Sequence, residues 1–252
     1  MTWATLGGVL VHLKHDLAAG EDSRLLSLVD IFESLSSEEI EDISWRSSSV
    51  RVQGGEILFD PADPSETLFV LKSGRVRIYR RGSEGREFTL AVLEGGTVFG
   101  ESALTSRGTR GAYAQCMEDS EIAILRRADV EHLILRKPEV GLSLIKLIGE
   151  RLSAYESRLE DLSLKEVPTR LASLILLLIE SEGLRTRAGY KIPTRYTHHH
   201  LGTMIGANRE AVTRAFTQLR EAGTVETENR LIHIRDLKAL ERAAEEGFPV
   251  RV

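Results

Sequence analysis

The segment from Asn208 to Arg214 combines side chains that could read the edges of DNA bases. An arginine can donate two hydrogen bonds to guanine, and a glutamate can accept one from cytosine. If Asn208 caps a helix through its side-chain oxygen, Arg209, Glu210 and Arg214 lie in its first two turns, where helix-turn-helix proteins contact bases. Taken alone, the same residues would also suit a solvated helix surface with an ion pair between Glu210 and Arg214.

The residues before and after this segment favour DNA binding over a solvated surface. Thr197 is a helix-capping residue type, and Leu201 and Met204 follow it at helical spacing. Gly206 stands where the turn between two helices needs a left-handed backbone. Beyond Gly223, residues 224–234 have the pattern of strand, turn and strand. We therefore expect a winged helix-turn-helix. The residues expected to contact DNA are Thr197, His199, Asn208, Arg209, Glu210, Thr213 and Arg214.

Three consecutive histidines, His198 to His200, suggest a metal site at first sight. Consecutive residues point about 100° apart around a helix, so these three cannot all bind one ion. We expect instead that one or two of them donate to DNA phosphates, and we expect no metal.

The composition excludes several classes of protein. No apolar stretch approaches the roughly 20 residues that span a bilayer, and the N-terminus lacks a secretory pattern, so we expect a cytoplasmic protein without membrane contact. The single cysteine, Cys116, excludes an internal disulfide framework and a cluster held by four thiolates. The candidate axial ligands for haem are Cys116, His132, His12 and His15, and we do not expect haem. A metal-dependent barrel enzyme would need histidines between positions 51 and 125, where there are none.

The charge is unevenly distributed along the chain. The net charge is −5, but residues 170–252 contain 13 Lys and Arg against 10 Asp and Glu, a net +3. The preceding residues therefore carry −8. A basic C-terminal part is the expected sign for contact with phosphates.

The middle of the chain alternates polar and apolar residues with a period of two, as half-buried strands do. The strands are expected over residues 67–72, 75–80, 88–93 and 121–125, and ten of the 21 glycines lie between positions 51 and 111. So many close turns predict an antiparallel barrel or sandwich.

A long helix is expected from Pro138 to the neighbourhood of Pro168, which suits the first turn of a following helix. Its apolar residues alternate spacings of three and four over about two and a half heptads. This pattern favours pairing with the same helix of a second subunit, although a helix packed along its own barrel would also show it. The expected seam consists of Ile145, Ile148, Leu152, Tyr155, Leu159 and Leu162.

These elements predict an α+β chain of four parts. Residues 1–22 form an extension without a clear pattern, either partly disordered or a short helix. Residues 23–137 form a sensory β-barrel, preceded by a helix over 23–35 and a second helix that Ser36 would cap. Residues 138–167 form the dimerisation helix and hinge, and residues 168–252 form the winged helix-turn-helix domain.

The order of barrel, long helix and winged helix-turn-helix resembles the CRP/FNR family of bacterial transcription regulators over about residues 25–240. Asn208 to Arg214 is similar to the family's recognition-helix pattern of polar-Arg-Glu-x-Val-x-Arg. The resemblance implies a cyclic-nucleotide-binding-like jelly roll and a homodimer on a palindromic double-stranded DNA site, with RNA polymerase as a partner. It further implies that Arg209 and Glu210 read a G·C pair and that Arg214 reads the neighbouring guanine of a TGTGA-like half-site. The chain is accordingly expected to be a transcription regulator that acts as an activator, and not an enzyme.

Residues 98–104 and 110–112 resemble the family's phosphate-binding cassette, in which a glycine admits the ligand, an arginine neutralises a phosphate and a glutamate accepts from a ribose hydroxyl. Gly100, Glu101 and Arg110 match this pattern, whereas Gly111 replaces a small hydroxyl residue and Tyr155-Glu156 replaces a Thr-Ser pair. The implied pocket consists of Gly100, Glu101, Ser102, Arg110, Gly111, Arg151, Tyr155 and Glu156.

Three hypotheses for this pocket stay open. It could bind cyclic AMP, or another small anion such as 2-oxoglutarate, since Arg151 lies where family members reach the pocket from the long helix. It could also bind no ligand, in which case Glu101 and Arg110 would pair with each other.

Overall fold

The computed structural model describes residues 29–105, 108–228 and 231–245, and the backbone of residues 2–6 and 9–13. The chain divides into two compact units. The first contains residues 1–80 and 90–152, and the second contains residues 81–89 and 153–252.

Two four-stranded antiparallel sheets form the centre of the first unit, except for strand residues 81 and 87–89, which belong to the second unit. Their strands are β3 (Ser48–Val52), β4 (Ile57–Phe59), β5 (Thr67–Ser73), β6 (Arg75–Arg81), β7 (Glu87–Glu94), β8 (Thr97–Phe99), β9 (Tyr113–Cys116) and β10 (Ser120–Arg126). One sheet has the order β3-β10-β5-β8 and the other β4-β9-β6-β7. Among the described residues the two sheets are not joined into a closed barrel, so the expected barrel is an open jelly roll.

Apolar side chains from both sheets meet in one core, which includes Phe59, Phe69, Val76, Phe99 and Ile122. The stacked rings of Phe69 and Phe99 have their centroids 5.1 Å apart. This core fixes the strands that carry the cassette residues.

The opposite face of the β5 sheet is covered by helices. They are α1 (Ser37–Arg46), α2 (Arg127–Arg136) and the start of α3 (Pro138–Leu164), and Leu68 and Val70 of β5 pack in the same cluster as Ile40, Val130 and Val140. Ser36 caps α1 in a capping box with Glu39, which confirms the cap expected from the sequence. Within residues 29–35 of the helix expected over 23–35, the structure has only a 3₁₀ turn at Asp30–Phe32.

The predicted strands are present, but one burial pattern was wrong. On β6, Arg77 was expected on a solvated face, yet it is 5% exposed. Its guanidinium carbon lies 4.0 Å from the centre of the Tyr79 ring, and its Nη2 donates to Gln115 Oε1 at 3.2 Å. Both faces of β6 are therefore covered, and an arginine is accommodated there through its aromatic and amide neighbours.

The N-terminal extension also differs from expectation, because β1 (Thr2–Leu6) and β2 (Val9–Leu13) pair as an antiparallel hairpin rather than a short helix. The remainder of the extension lies outside the described residues.

The second unit contains the C-terminal elements. They are α4 (Val167–Glu182), β11 (Leu184–Thr186), β12 (Gly189–Ile192), α5 (His198–Ile205), α6 (Arg209–Glu221), β13 (Val225–Glu228), β14 (Leu231–Ile234) and α7 (Leu237–Glu245). Pro168 lies in the first turn of α4, as expected from its missing N–H. The four strands form one sheet in the order β11-β12-β14-β13.

Candidate nucleic-acid interface and effector pocket

Local capping and a glycine turn define the helix pair α5–α6. Thr197 accepts a hydrogen bond from the His200 backbone N–H, and Asn208 accepts one from the Ala211 N–H at 2.8 Å. Between the helices, Gly206 has a left-handed backbone with φ of 63°. The left-handed conformation favours glycine here, and a Cβ would lie 2.8 Å from Leu162 Cδ2, so that side chain would also have to shift. The helix-turn-helix thus has the start, turn and caps that the sequence predicted.

The two faces of α6 differ sharply. Val212, Ala215, Phe216 and Leu219 are buried. Arg209, Glu210, Thr213 and Arg214 are exposed on the opposite face. The expected solvent-facing set is therefore together on one surface.

The charged residues of this surface have no intramolecular partners among the described residues. In that part of the chain, Arg209, Glu210 and Arg214 form no ion pair and no side-chain hydrogen bond, and the ion pair between Glu210 and Arg214 that a solvated surface would have is absent. Their donors and acceptors are available to an external ligand, which base edges could provide.

His198 belongs to this surface, although of the three consecutive histidines only His199 was named among the expected DNA contacts. Its ring stacks on Phe216 with centroids 5.0 Å apart and planes 10° apart, and its Nδ1 lies 2.8 Å from Thr213 Oγ1. Burial, and then the nearby positive charge of Arg209, lower the pKa of His198. The contact joins residues 15 positions apart on two helices, which local periodicity does not reveal. His199 is exposed beside it, as Thr197 is.

β13 and β14 pair in antiparallel register from Val225↔Ile234 to Glu228↔Leu231, as expected of a wing. The expected turn residues 229–230 lie outside the described residues.

In the first unit, Arg110 is directed at the backbone of its own jelly roll. Its Nη1 donates to Thr67 O at 2.7 Å and to Gly100 O at 3.2 Å, and its Nη2 donates to Thr67 Oγ1 at 2.6 Å. Burial lowers the pKa of Arg110 to about 10, which leaves the side chain charged at neutral pH. Its Nε is buried without a hydrogen-bond partner.

The hypothesis that Glu101 and Arg110 pair with each other is wrong, because each has another partner. Glu101 Oε2 accepts from Arg151 Nη1 at 2.8 Å, and Arg151 Nη2 donates to Val98 O at 2.6 Å. The long helix thus reaches the cassette through Arg151, and the two cassette charges are separately satisfied.

The remaining pocket residues lie in different surroundings. The hydroxyl oxygens of Ser102 and Ser65 are 2.7 Å apart. Gly111 is an exposed turn residue with φ of 71°. Tyr155 and Glu156 belong to the part of α3 in the second unit, where Glu156 is exposed.

Gly100 provides the close approach expected of a cassette glycine. Its φ is 80°, and an added Cβ would lie 2.9 Å from both Arg110 Nη1 and the Phe69 ring. Within the jelly roll a small cavity runs beside Arg110 and is lined by Phe59, Phe69, Thr67 and Asp63, among others. The glycine therefore admits the arginine itself.

The described residues contain no group of three or more His, Cys, Asp or Glu side chains that could hold a metal ion. Among these residues, no helix is both long and apolar enough to cross a membrane.

A jelly roll with a cassette-like turn, a long helix and a winged helix-turn-helix together define a DNA-binding transcription regulator with a cyclic-nucleotide-binding-like domain. Comparison with family models agrees: residues 49–137 match the cyclic nucleotide-binding domain and residues 169–243 match the Crp-like helix-turn-helix domain.

Individual relatives extend the similarity over most of the chain. The cyclic AMP receptor protein of Thermus thermophilus is 33% identical, with 85% of this chain and 96% of that protein covered. The CRP-like cAMP-activated global transcriptional regulator of Mycobacterium tuberculosis is 26% identical, with 87% and 98% covered. A CooA mutant from Carboxydothermus hydrogenoformans has a similar structure, with a TM-score of 0.72, 25% identity, and 86% and 95% covered. The chain belongs to the CRP/FNR family of transcription regulators.

Proposed function

We propose that the protein binds a palindromic DNA site as a homodimer and reads each half-site with α6. The observation that carries this proposal is the exposed surface of Arg209, Glu210 and Arg214, which have no intramolecular partners in the described part of the chain. By the family pattern, Arg209 and Glu210 contact one G·C pair and Arg214 contacts the neighbouring guanine. Thr197, His199, Asn208 and Thr213 border this surface and contact the backbone or nearby bases.

Exposed apolar residues on α3 support the dimer. Ile145, Leu152 and Leu159 are 67%, 56% and 66% exposed, and Ile148 is 44% exposed. A helix seldom leaves such a stripe in water, and pairing with a second copy of α3 would bury it. Tyr155 and Leu162 complete the seam. Two paired helices would place the two α6 helices about one DNA turn apart, as two half-sites require.

Selection of binding sites from a random DNA library tests this function. We expect enrichment of a palindrome with two half-sites of the TGTGA type. Recovery of single half-sites or of unenriched DNA would contradict the proposal.

We propose further that regulation does not require cyclic AMP. Both Arg110 terminal nitrogens already donate to the chain, and one oxygen of the Glu101 carboxylate accepts from Arg151, so both cassette charges are stabilised without a cyclic phosphate or a ribose. Gly111 offers no hydroxyl to a phosphate. The cassette therefore does not need a cyclic nucleotide to hold its charged side chains in place.

A second candidate is gating by a small anion, and two observations favour it. The Arg110 Nε is buried without a partner, which costs free energy that a ligand oxygen would recover. The cavity next to it is bordered by Arg110 and by aromatic side chains. The melting temperature, measured with cyclic AMP and with a small anion such as 2-oxoglutarate, separates regulation without a ligand from gating by a small anion.

The remaining assignments follow from DNA binding. We place the protein in the cytoplasm with the DNA of a bacterial cell, and RNA polymerase is the partner that a promoter-bound regulator meets there. We assign no catalytic activity to it.

A further inference from the structure

We propose that His198 binds a DNA phosphate through the ring nitrogen that faces away from Thr213, and that it takes up a proton when it does so. The proposal rests on the DNA-binding function given above but not on any base sequence, because phosphates occur at every nucleotide.

The hydrogen bonds of Thr213 fix the tautomer of the neutral ring. Thr213 Oγ1 lies 2.9 Å from Arg209 O and 2.8 Å from His198 Nδ1. A hydroxyl has one proton to donate, and a carbonyl oxygen can only accept. Both contacts are hydrogen bonds only if Thr213 donates to Arg209 O and His198 donates from Nδ1. In the neutral ring, Nε2 is then the nitrogen without a proton.

The ring is also held in place. It stacks nearly parallel on Phe216, which is 7% exposed, while His198 itself is half-buried at the first position of α5. The first helix of a helix-turn-helix crosses the DNA backbone, and helix N-termini commonly contact phosphates. The Nε2 atom is thus fixed on a helix that meets the phosphate chain.

The charge state of the free protein makes binding proton-linked. Burial, and then the positive charge of Arg209 on α6, lower the His198 pKa below the usual value near 6.5. His199 and His200 are the other titratable groups adjacent on α5. At neutral pH the ring is therefore mostly neutral, and its bare Nε2 cannot donate to a phosphate oxygen.

A bound phosphate favours the protonated ring instead of the neutral one. Its negative charge stabilises the imidazolium, and protonated Nε2 donates to the phosphate oxygen while Nδ1 keeps its bond to Thr213. The proton comes from the solvent. Because the pKa is higher in the complex than in the free protein, affinity increases as pH falls through the bound-state pKa and levels off below the free-state pKa.

Fluorescence anisotropy with the full chain tests the inference. The probe is a labelled mixed-sequence duplex of about 30 base pairs, titrated at about pH 6 and about pH 8 at one ionic strength. The wild-type affinity should be at least about threefold higher at the lower pH. Uptake of one proton by each bound helix-turn-helix can change the affinity by at most about tenfold per pH unit. Calorimetry in two buffers of different ionisation enthalpy should show net proton uptake.

Two variants separate the ring's proton from its packing. His198→Gln places a permanent amide donor near the Nε2 position, so its affinity should vary little with pH. His198→Asn keeps a donor for Thr213 but has no group at Nε2, so it should bind more weakly than wild type at the lower pH and also lose the pH dependence. His132→Gln, at an exposed position of α2 in the first unit and outside the DNA-contacting surface, is the matched control and should keep the wild-type pH dependence.

Several results would overturn the inference. One is a wild-type protein that binds the duplex without taking up a proton, and another is a folded His198→Gln variant with the wild-type pH dependence. If His198 only supported the fold, its variants would lower the melting temperature and the affinity but leave the pH dependence in place. A chain that fails to bind the duplex at either pH would overturn the DNA-binding function as well, whereas a chain that binds without site preference would contradict only the proposed base reading.

Discussion

Single side chains on the exposed face of α6 carry the proposed base reading. Arg214 has no ion pair or side-chain hydrogen bond in the described part of the chain, so the free protein loses no internal contact when this side chain is shortened. A guanidinium that makes two hydrogen bonds to guanine contributes directly to discrimination between bases. The consequence of removing it should therefore appear in binding and not in folding.

We predict that Arg214→Ala weakens binding to the selected site by about 1–3 kcal/mol and relaxes the preference at one base pair of each half-site. Competition binding against duplexes altered at single positions measures both effects. Arg220→Ala is the control, since Arg220 is exposed in the last turn of the same helix. Equal losses for the two variants would contradict base reading by Arg214 and point to a general charge effect.

The sequence predicted the local contacts of single residues but not their long-range contacts. The caps at Thr197 and Asn208 and the turn at Gly206 were predictable, because each depends on residues within a few positions. The bond between His198 and Thr213, and the bond between Arg110 and Thr67, were not. Each joins distant segments, and residue type alone indicates only that a polar partner is needed.

At the scale of elements, α3 is the part whose environment is least complete in a single chain. Its first turns bury Val140 and Leu144 against the jelly roll, while four of the seam residues that follow remain exposed and Tyr155 and Leu162 are half-buried. An apolar stripe next to a covered face indicates two different packing partners along one helix.

We predict that Leu152→Glu gives a monomer that no longer binds the palindromic site, because a carboxylate in an apolar seam would be buried without a partner. Sedimentation velocity and anisotropy measure the two effects. Ser153→Glu, which adds the same charge at the next and exposed position, should remain dimeric. A dimeric Leu152→Glu variant that binds DNA normally would exclude the seam.

The positions of strands were predicted better than the burial of their two faces, because burial depends on the neighbouring elements. β5, β7 and β10 were expected as short strands between turn signals, within one residue or so of their observed ends. The burial of Arg77 was missed because both faces of β6 are covered, and a period of two reports only half-burial. The β1–β2 hairpin did have a local signal, since Gly-Gly stands at positions 7–8 between two short runs of strand-forming residues.

At the scale of the whole molecule, the fold was predictable and the effector state was not. The order of domains follows from periodicity and resemblance, but whether Arg110 faces a ligand or its own backbone depends on side-chain packing inside the jelly roll. Here the guanidinium is held by Thr67 and Gly100, and Glu101 is held by Arg151.

We predict that neither cyclic AMP nor 2-oxoglutarate raises the melting temperature, because a ligand stabilises a protein only to the extent that it binds the folded state. Differential scanning fluorimetry with each compound at millimolar concentration measures this, with cyclic GMP as a specificity control. A rise of several degrees with any one of them would show that the folded protein binds that compound and would contradict this prediction.

The packing of Gly206 against Leu162 has a consequence for genetic work on this protein. Gly206 lies next to both Leu162 Cδ2 and the Phe88 ring, so the turn that orients the DNA-reading helix touches α3 and the start of β7. Random mutagenesis scored by a reporter gene should therefore recover loss-of-function alleles at Phe88 and Leu162, although neither belongs to the DNA-contacting surface. Second-site revertants of such alleles should cluster around Phe88, Leu162 and Gly206, so a bacterial colony screen could detect this contact.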